Sequence, residues 1–216
     1  MKIVEPDFER MSRCGIPEVV YGESKTAKQL VEIAGKFLDR SGRIIVTKVS
    51  KGKAEEVTGR FRKFDSCFSE DAGLLILKKK GFRVEKSGRR VGIITAGTSD
   101  VPIAEEARIV LEELGRSTVA AYDIGVAGVH RLFPALKGME DVGALIVVAG
   151  MEGALPSVVS GLVDVPVIGV PTSVGYGVGK GGLTALNSML TSCAPVAVVN
   201  IDNGYGAAVL AYMMTK

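Results

Sequence analysis

Between residues 90 and 216, five short Val/Ile-rich runs alternate with helical stretches, and this alternation restricts the fold more than any other feature of the chain. The runs are "RVGIITAG" (90–97), "STVAAYDIG" (117–125), "GALIVVAG" (143–150), "VPVIGVP" (165–171) and "VAVVNID" (196–202). Their near-continuous apolar character suits strands buried on both faces. A helix after each strand returns the chain so that the next strand runs parallel to the last. A doubly wound parallel α/β sheet is therefore expected, with helices over 101–115, 129–138, 154–163, 181–192 and 204–214. In such a sheet, ligands bind outside the carboxyl ends of the strands.

Composition changes near "KSGRR" (86–90), which places a boundary between a small N-terminal α+β lobe, 1–89, and a flavodoxin-like domain of five βα units, 90–216. The lobe is basic: residues 1–90 hold 21 Lys and Arg against 13 Asp and Glu, while 91–216 hold 6 against 11. Either a solvated basic face, or a basic lobe that docks on an acidic one or attracts an anionic substrate, accounts for this asymmetry. "SKTAKQLVEIAGKFLDRSG" reads as a helix with Ser24 as its cap candidate and Gly42 as its end. Strands are expected at 43–49 and 73–79, and "CGIPEVVYGESKT" as an irregular opening.

The chain's 216 residues suffice for a full core without disulfides. Cys14, Cys67 and Cys193 form no CxxC pair and His130 is the sole histidine, which disfavours a Cys/His zinc site. An odd thiol count and no signal-peptide pattern point to a reducing cytoplasm. No run of about 18 apolar residues is present, so no membrane span is expected. Sparse aromatics and no recognition motif argue against nucleic acid as a partner.

Chemistry-bearing residues gather at the expected strand ends. "GTSD" sets Gly97, Thr98, Ser99 and Asp100 at a helix start, which suits a phosphate or carboxylate but also an ordinary cap. "GVHR" offers Arg131 and His130, the histidine either structural or placed for binding or acid-base work, and "AGMEGALPS" offers Gly150 and Glu152; Glu152 and Asp100 are each a candidate base, a metal-binding carboxylate or a solvated charge. "GYGVGKGG" is not a P-loop: three residues separate Gly175 from Gly179, and Gly181 stands after Lys180 where Ser or Thr is required. A glycine loop over a ligand, with Lys180 as a cation, or a plain surface loop fits it. Cys14 and Cys67 carry no constellation. Cys193, in "TSCAP" just before the last strand, is a candidate covalent nucleophile. Simple topology puts it at the amino edge of the sheet, opposite the other candidates, so either residues 172–192 fold back irregularly or Cys193 serves a site completed by another subunit.

Taken in order, "GTSD", "GVHR", "AGMEGALPS", "PVIGVPTS" and "NGYGAAVLA" resemble phosphoribosylaminoimidazole carboxylases and carboxyaminoimidazole ribonucleotide mutases over residues 90–216. Those enzymes typically carry "AHR" and "AHLPG"; this chain has Val129 before its His-Arg and Ala154 in place of the second histidine. Over its full length, including "RCGIPEVVYGESKT" and "TSCAP", the chain is similar to the LarB family of pyridinium-biscarboxylate mononucleotide synthases in nickel-pincer cofactor assembly. The resemblance implies that CO2 or bicarbonate carboxylates the pyridinium ring of nicotinic acid adenine dinucleotide. Hydrolysis of the phosphoanhydride then releases AMP. Carried over by motif, Cys193 is the nucleophile and Asp100, His130 and Glu152 are the other catalytic groups. Gly97, Thr98, Ser99, Arg131, Gly150 and Lys180 then contact substrate. No cofactor is certain, Mg2+ is left open, and no metal ligand is assigned. The resemblance also implies a homo-oligomer, an octamer by analogy with the carboxylases, whose sites lie at subunit contacts. A purine-pathway carboxylase or mutase, and a non-catalytic nucleotide sensor, are the alternative readings.

Overall fold

The computed structural model describes residues 5–216, which divide between Arg83 and Val84 into two compact units. The first unit contains α1 (Arg10–Cys14), β1 (Val20–Tyr21), α2 (Ala27–Ser41), β2 (Arg43–Thr47), α3 (Lys51–Arg60), β3 (Asp65–Ser69) and β4 (Leu74–Lys78). Its sheet has the order β1-β2-β4-β3, with β1 parallel to β2 and the other pairs antiparallel. Helix α2 begins at Thr26 rather than at Ser24. The Thr26 hydroxyl accepts from the Gln29 N–H at 3.2 Å while the Gln29 side chain accepts from the Thr26 N–H at 2.9 Å, a reciprocal cap that Ser24 lacks the spacing to make. Gly42, at φ 74°, ends the helix as expected. Leu30, Ile33, Ala34, Phe37 and Leu38 form its buried face and share a core with Ile44, Val46, Leu75 and Leu77. The opening expected to be irregular contains the short strand β1, and α3 and β3 are additions to the expected elements.

The second unit contains β5 (Val91–Thr95), α4 (Val101–Glu113), β6 (Thr118–Ala121), α5 (Leu132–Lys137), β7 (Ala144–Ala149), α6 (Leu155–Ser160), β8 (Val167–Pro171), α7 (Leu183–Leu190), β9 (Val196–Val198) and α8 (Gly204–Met214). All five strands are parallel, in the order β6-β5-β7-β8-β9. This is the doubly wound, flavodoxin-like sheet that the strand-helix alternation predicts. Every residue of β5, β7 and β8 is buried, because helices cover both faces of the central strands. Residues after Val84 already belong to this unit: the Ser87 N–H donates to the Gly115 carbonyl at 2.9 Å, and buried Arg116 donates to the Ser87 carbonyl and, at 3.0 Å, to the Thr215 hydroxyl. The unit therefore begins upstream of the composition change.

Several elements are shorter than expected. Strand β6 stops at Ala121 and β9 at Val198, and the stretch 129–138 resolves into a 3-10 segment, Val126–Arg131, followed by α5. Gly128 breaks the helical path there with φ −121° and ψ 48°. Helix α8 turns Ala207, Ala208 and Ala211 inward, and Gly204 sits so close to α4 that a Cβ would lie 2.4 Å from the Ile103 carbonyl oxygen. Packing within the chain thus accounts for the small-residue face of α8. Among the described residues, no helix is long and apolar enough to cross a membrane.

Candidate functional site at the strand ends

Strand β5 has β6 on one side and β7 on the other, so the chain changes winding direction between β5 and β7. The loops leaving these strands diverge at that point, and the gap between their carboxyl ends is where a doubly wound sheet accepts ligands. A cleft of about 260 Å3 occupies it. Gly97, Thr98, Ser99 and Asp100 line it from the β5 loop, Gly150, Glu152 and Ala154 from the β7 loop, and Val174 from the β8 loop.

Asp100 ties these loops together. Only 4% exposed, its carboxylate accepts from the Gly97 N–H at 2.9 Å and from the Thr172 hydroxyl at 2.7 Å, with the Gly150 amide as a further donor. Burial pushes its pKa above the usual carboxylate value, and the three donors hold it back. Close approach of the loops needs glycine at position 150, where a Cβ would stand 2.3 Å from the Val174 carbonyl oxygen. Thr98 and Ser99 are exposed in the 3-10 turn that leads into α4, a geometry that offers hydroxyls and backbone N–H groups to an anion.

Removing the Thr172 hydroxyl tests this tie. Thr172 is fully buried, so Thr172→Val is expected to cost about 1–3 kcal/mol by depriving a buried acceptor of its donor, measured by denaturant unfolding. The loss is also pH-dependent. Because the folded-state pKa of Asp100 is raised, its proton favours the native state. That advantage is fully present below the unfolded value and is lost as pH rises through the folded one. Without Thr172 the folded value rises further, so the variant's deficit is expected to be larger at neutral pH than in acid.

Backbone strain gathers at the same edge. Asp123, Met151 and Asp202 adopt φ of 59°, 54° and 55°, a left-handed conformation that costs a non-glycine residue about 1–3 kcal/mol and persists where its surroundings enforce it. The Thr95 hydroxyl accepts from the Asp123 N–H at 3.0 Å, the Val174 carbonyl from the Met151 N–H at 3.0 Å, and the Pro171 carbonyl from the Asp202 N–H at 2.9 Å. The turn at Met151 sets the next residue, Glu152, at the mouth of the cleft with its side chain exposed.

The structure brings Gly97, Thr98, Ser99, Asp100, Gly150 and Glu152 together around one cleft. His130, Arg131 and Lys180 lie on neighbouring carboxyl-edge loops, all exposed, and do not form its walls. Arg131 is instead paired with Asp123 at 2.9 Å. Cys193 is exposed in the turn between α7 and β9, at the amino edge of its own sheet. The Ser160 hydroxyl at the end of α6 donates to the Pro195 carbonyl at 2.7 Å and fixes that turn there. Sequence reasoning does not reach Thr172 or the strained Met151. Thr172 carries only a weak signal, a hydroxyl directly after an apolar strand. Asp100 and Glu152 are the only carboxylates lining the cleft, and among the described residues no group of three or more His, Cys, Asp or Glu is placed to hold a metal ion.

Comparison with known proteins agrees with this architecture. A family model described as the LarB/PurE-like N-terminal domain matches residues 1–79, and one described as AIR carboxylase matches residues 90–216. An uncharacterized protein of Methanocaldococcus jannaschii is 49% identical, over 97% of this chain and 83% of its own length. N5-carboxyaminoimidazole ribonucleotide mutases of Pyrococcus horikoshii and Thermotoga maritima are 37% and 36% identical, each over 56% of this chain and over 69% and 72% of their own lengths. With a matched N-terminal lobe, a matched carboxylase domain and a relative alike over 97% of this chain, the chain belongs to the LarB family.

Proposed function

We propose that this protein carboxylates the pyridinium ring of nicotinic acid adenine dinucleotide and then hydrolyses the phosphoanhydride, giving pyridinium biscarboxylate mononucleotide and AMP for nickel-pincer cofactor synthesis. The observation that carries the proposal is a ligand cleft whose only titratable side chains are two carboxylates, with Ala154 in its wall and no histidine. Such a cleft suits proton removal by a carboxylate, as ring carboxylation requires, better than histidine-based acid-base chemistry on an aminoimidazole.

A pyridinium ring is electron-poor and does not attack CO2. When the Cys193 thiolate adds to a ring carbon, the electron pair of the new C–S bond neutralises the ring and creates an enamine. The enamine carbon then forms a C–C bond to CO2. That carbon still carries hydrogen, and its proton passes to Glu152. The C–H electrons re-form the ring double bond and the thiolate leaves with the C–S pair. Thr98, Ser99 and the start of α4 face a phosphate. A dinucleotide exceeds 260 Å3, so its AMP half extends past the cleft toward the exposed His130, Arg131 and Lys180. Water then attacks phosphorus and the P–O bond to AMP breaks. Because Cys193 is at the opposite edge of its own sheet, the thiolate comes from another copy, in a homo-oligomer for which we favour an octamer.

The test is incubation with nicotinic acid adenine dinucleotide and 13C-bicarbonate, read by mass spectrometry. A mononucleotide carrying one labelled carboxyl, with AMP in equal amount, is expected. No labelled product from the folded oligomer would overturn the proposal, and turnover of N5-carboxyaminoimidazole ribonucleotide instead would establish the mutase reading.

A further inference from the structure

The first unit carries a strand edge and a charge cluster that the cleft does not use. Strand β3 is the last strand of its sheet, paired with β4 from Asp65 opposite Lys78 to Ser69 opposite Leu74, and among the described residues no strand pairs with its other side. The backbone N–H and C=O groups on that side form a template for another extended chain. Such edges are ordinarily blunted by Lys or Pro on the strand or by a bulge, and "DSCFS" has none of these. Asp65, Ser66 and Cys67 are exposed, and their small side chains leave the backbone open to approach. Cations collect at the start of this edge. "RFRKFD" (60–65) leads into β3 and "KKKGFR" (78–83) leaves β4, and the register of Asp65 opposite Lys78 sets the two stretches side by side. The first holds three Lys and Arg and the second four, against one carboxylate, Asp65. The turn before β3 is fixed: the Phe64 N–H donates to the Phe61 carbonyl at 2.9 Å, and the two rings meet edge to face at 5.8 Å against the core of the unit. Arg62 and Lys63 are left exposed between them. At the other end of the edge Glu70 is paired with Lys51 at 2.9 Å and Asp71 follows it, so the edge is basic at its start and acidic at its finish.

We propose that β3 is a docking edge for an extended acidic segment of a partner protein, which adds to the sheet as a further strand with its carboxylates beside Arg62, Lys63 and the lysines after β4. Main-chain pairing supplies the affinity, and the charges select the partner. Nucleic acid has no peptide N–H groups to pair with the edge, and Phe61 and Phe64 are turned against the core rather than outward for bases to stack on. A lipid surface fits no better. Among the described residues of the first unit, the exposed large apolar side chains are Met11 on α1 and Tyr21 on β1, and β1 is at the far edge of the sheet from β3. The docking does not depend on the reaction proposed for the second unit.

The test adds a fluorescent peptide of alternating Val and Glu to the full chain and reads binding by anisotropy and by hydrogen exchange. Binding is expected to slow exchange of the amides of 65–69 and to weaken as salt is added. Changing Arg62→Glu and Lys63→Glu together, at exposed positions where the circular dichroism spectrum should not change, is expected to weaken it by about tenfold or more. A peptoid with the same side chains but no backbone N–H is the control for charge alone, and a loss of about tenfold or more is again expected. Equal binding by the peptoid, unchanged exchange at 65–69, or no binding by the peptide would each overturn the proposal. Slowed exchange there with single-stranded oligothymidylate or phosphatidylserine vesicles, but not with the peptide, would overturn it in favour of nucleic acid or membrane. No readout involves the dinucleotide, so the labelled-carboxyl result decides the reaction separately.

Discussion

Cys193→Ser is expected to abolish carboxylation of nicotinic acid adenine dinucleotide while leaving the circular dichroism spectrum and the assembly mass unchanged. A serine hydroxyl is a far weaker nucleophile at neutral pH than a thiol, and an alkoxide is a far poorer leaving group than a thiolate, so both the addition and the expulsion steps fail. The substitution is structurally mild because Cys193 is exposed in a turn held by backbone and serine contacts rather than by its own sulfur. Cys14→Ser and Cys67→Ser provide the comparison. Both thiols are exposed in the first unit, one at the end of α1 and the other on β3, and their removal is expected to leave turnover within about twofold, as surface substitutions away from a site usually do. Labelled product formed at the wild-type rate by folded Cys193→Ser protein would end the covalent mechanism.

The parts of the fold readable in the sequence are those where burial repeats with a period. Strands β5, β7 and β8 read as continuous apolar runs because both faces are covered, and α2 shows a one-sided stripe because only one face is. Helix α3 and strand β3 escape the same reading for a physical reason. Only Ala54 and Val57 of α3 are buried, and β3 is an edge strand whose first three residues are exposed, so neither carries enough apolar residues to reveal a period. At the candidate site, Gly97, Asp100, Gly150 and Glu152 were legible because topology alone places strand-end loops at the ligand edge. The Asp100–Thr172 bond spans 72 residues and leaves no local trace, and the left-handed turn at Met151 occurs in a residue type that seldom adopts it. The position of Cys193, at the edge opposite the cleft, follows from topology as well, and the proposal of a second copy rests on it.

The proposed second copy gives Glu152→Gln a second use beyond testing the base. The amide keeps the shape of the side chain but cannot take up the ring proton, and Glu152 is exposed, so little stability is at stake. Turnover is expected to fall by about two to four powers of ten, the usual span for a general acid-base group, with the fall appearing in kcat more than in KM. A near-native rate would leave Glu152 as a positioning or solvated charge. If Glu152 and Cys193 meet across a subunit contact, then mixing Glu152→Gln chains with Cys193→Ser chains creates some contacts that hold both defects and others that hold neither. The intact contacts should restore measurable labelled product to a mixture of two nearly inactive proteins, at a level set by random assembly. Mixed oligomers that form, as shown by mass, yet stay inactive would require both residues to act from one chain, which the opposite edges of the sheet forbid unless the turn before β9 moves. A fully active monomer in solution would dismiss the shared site outright.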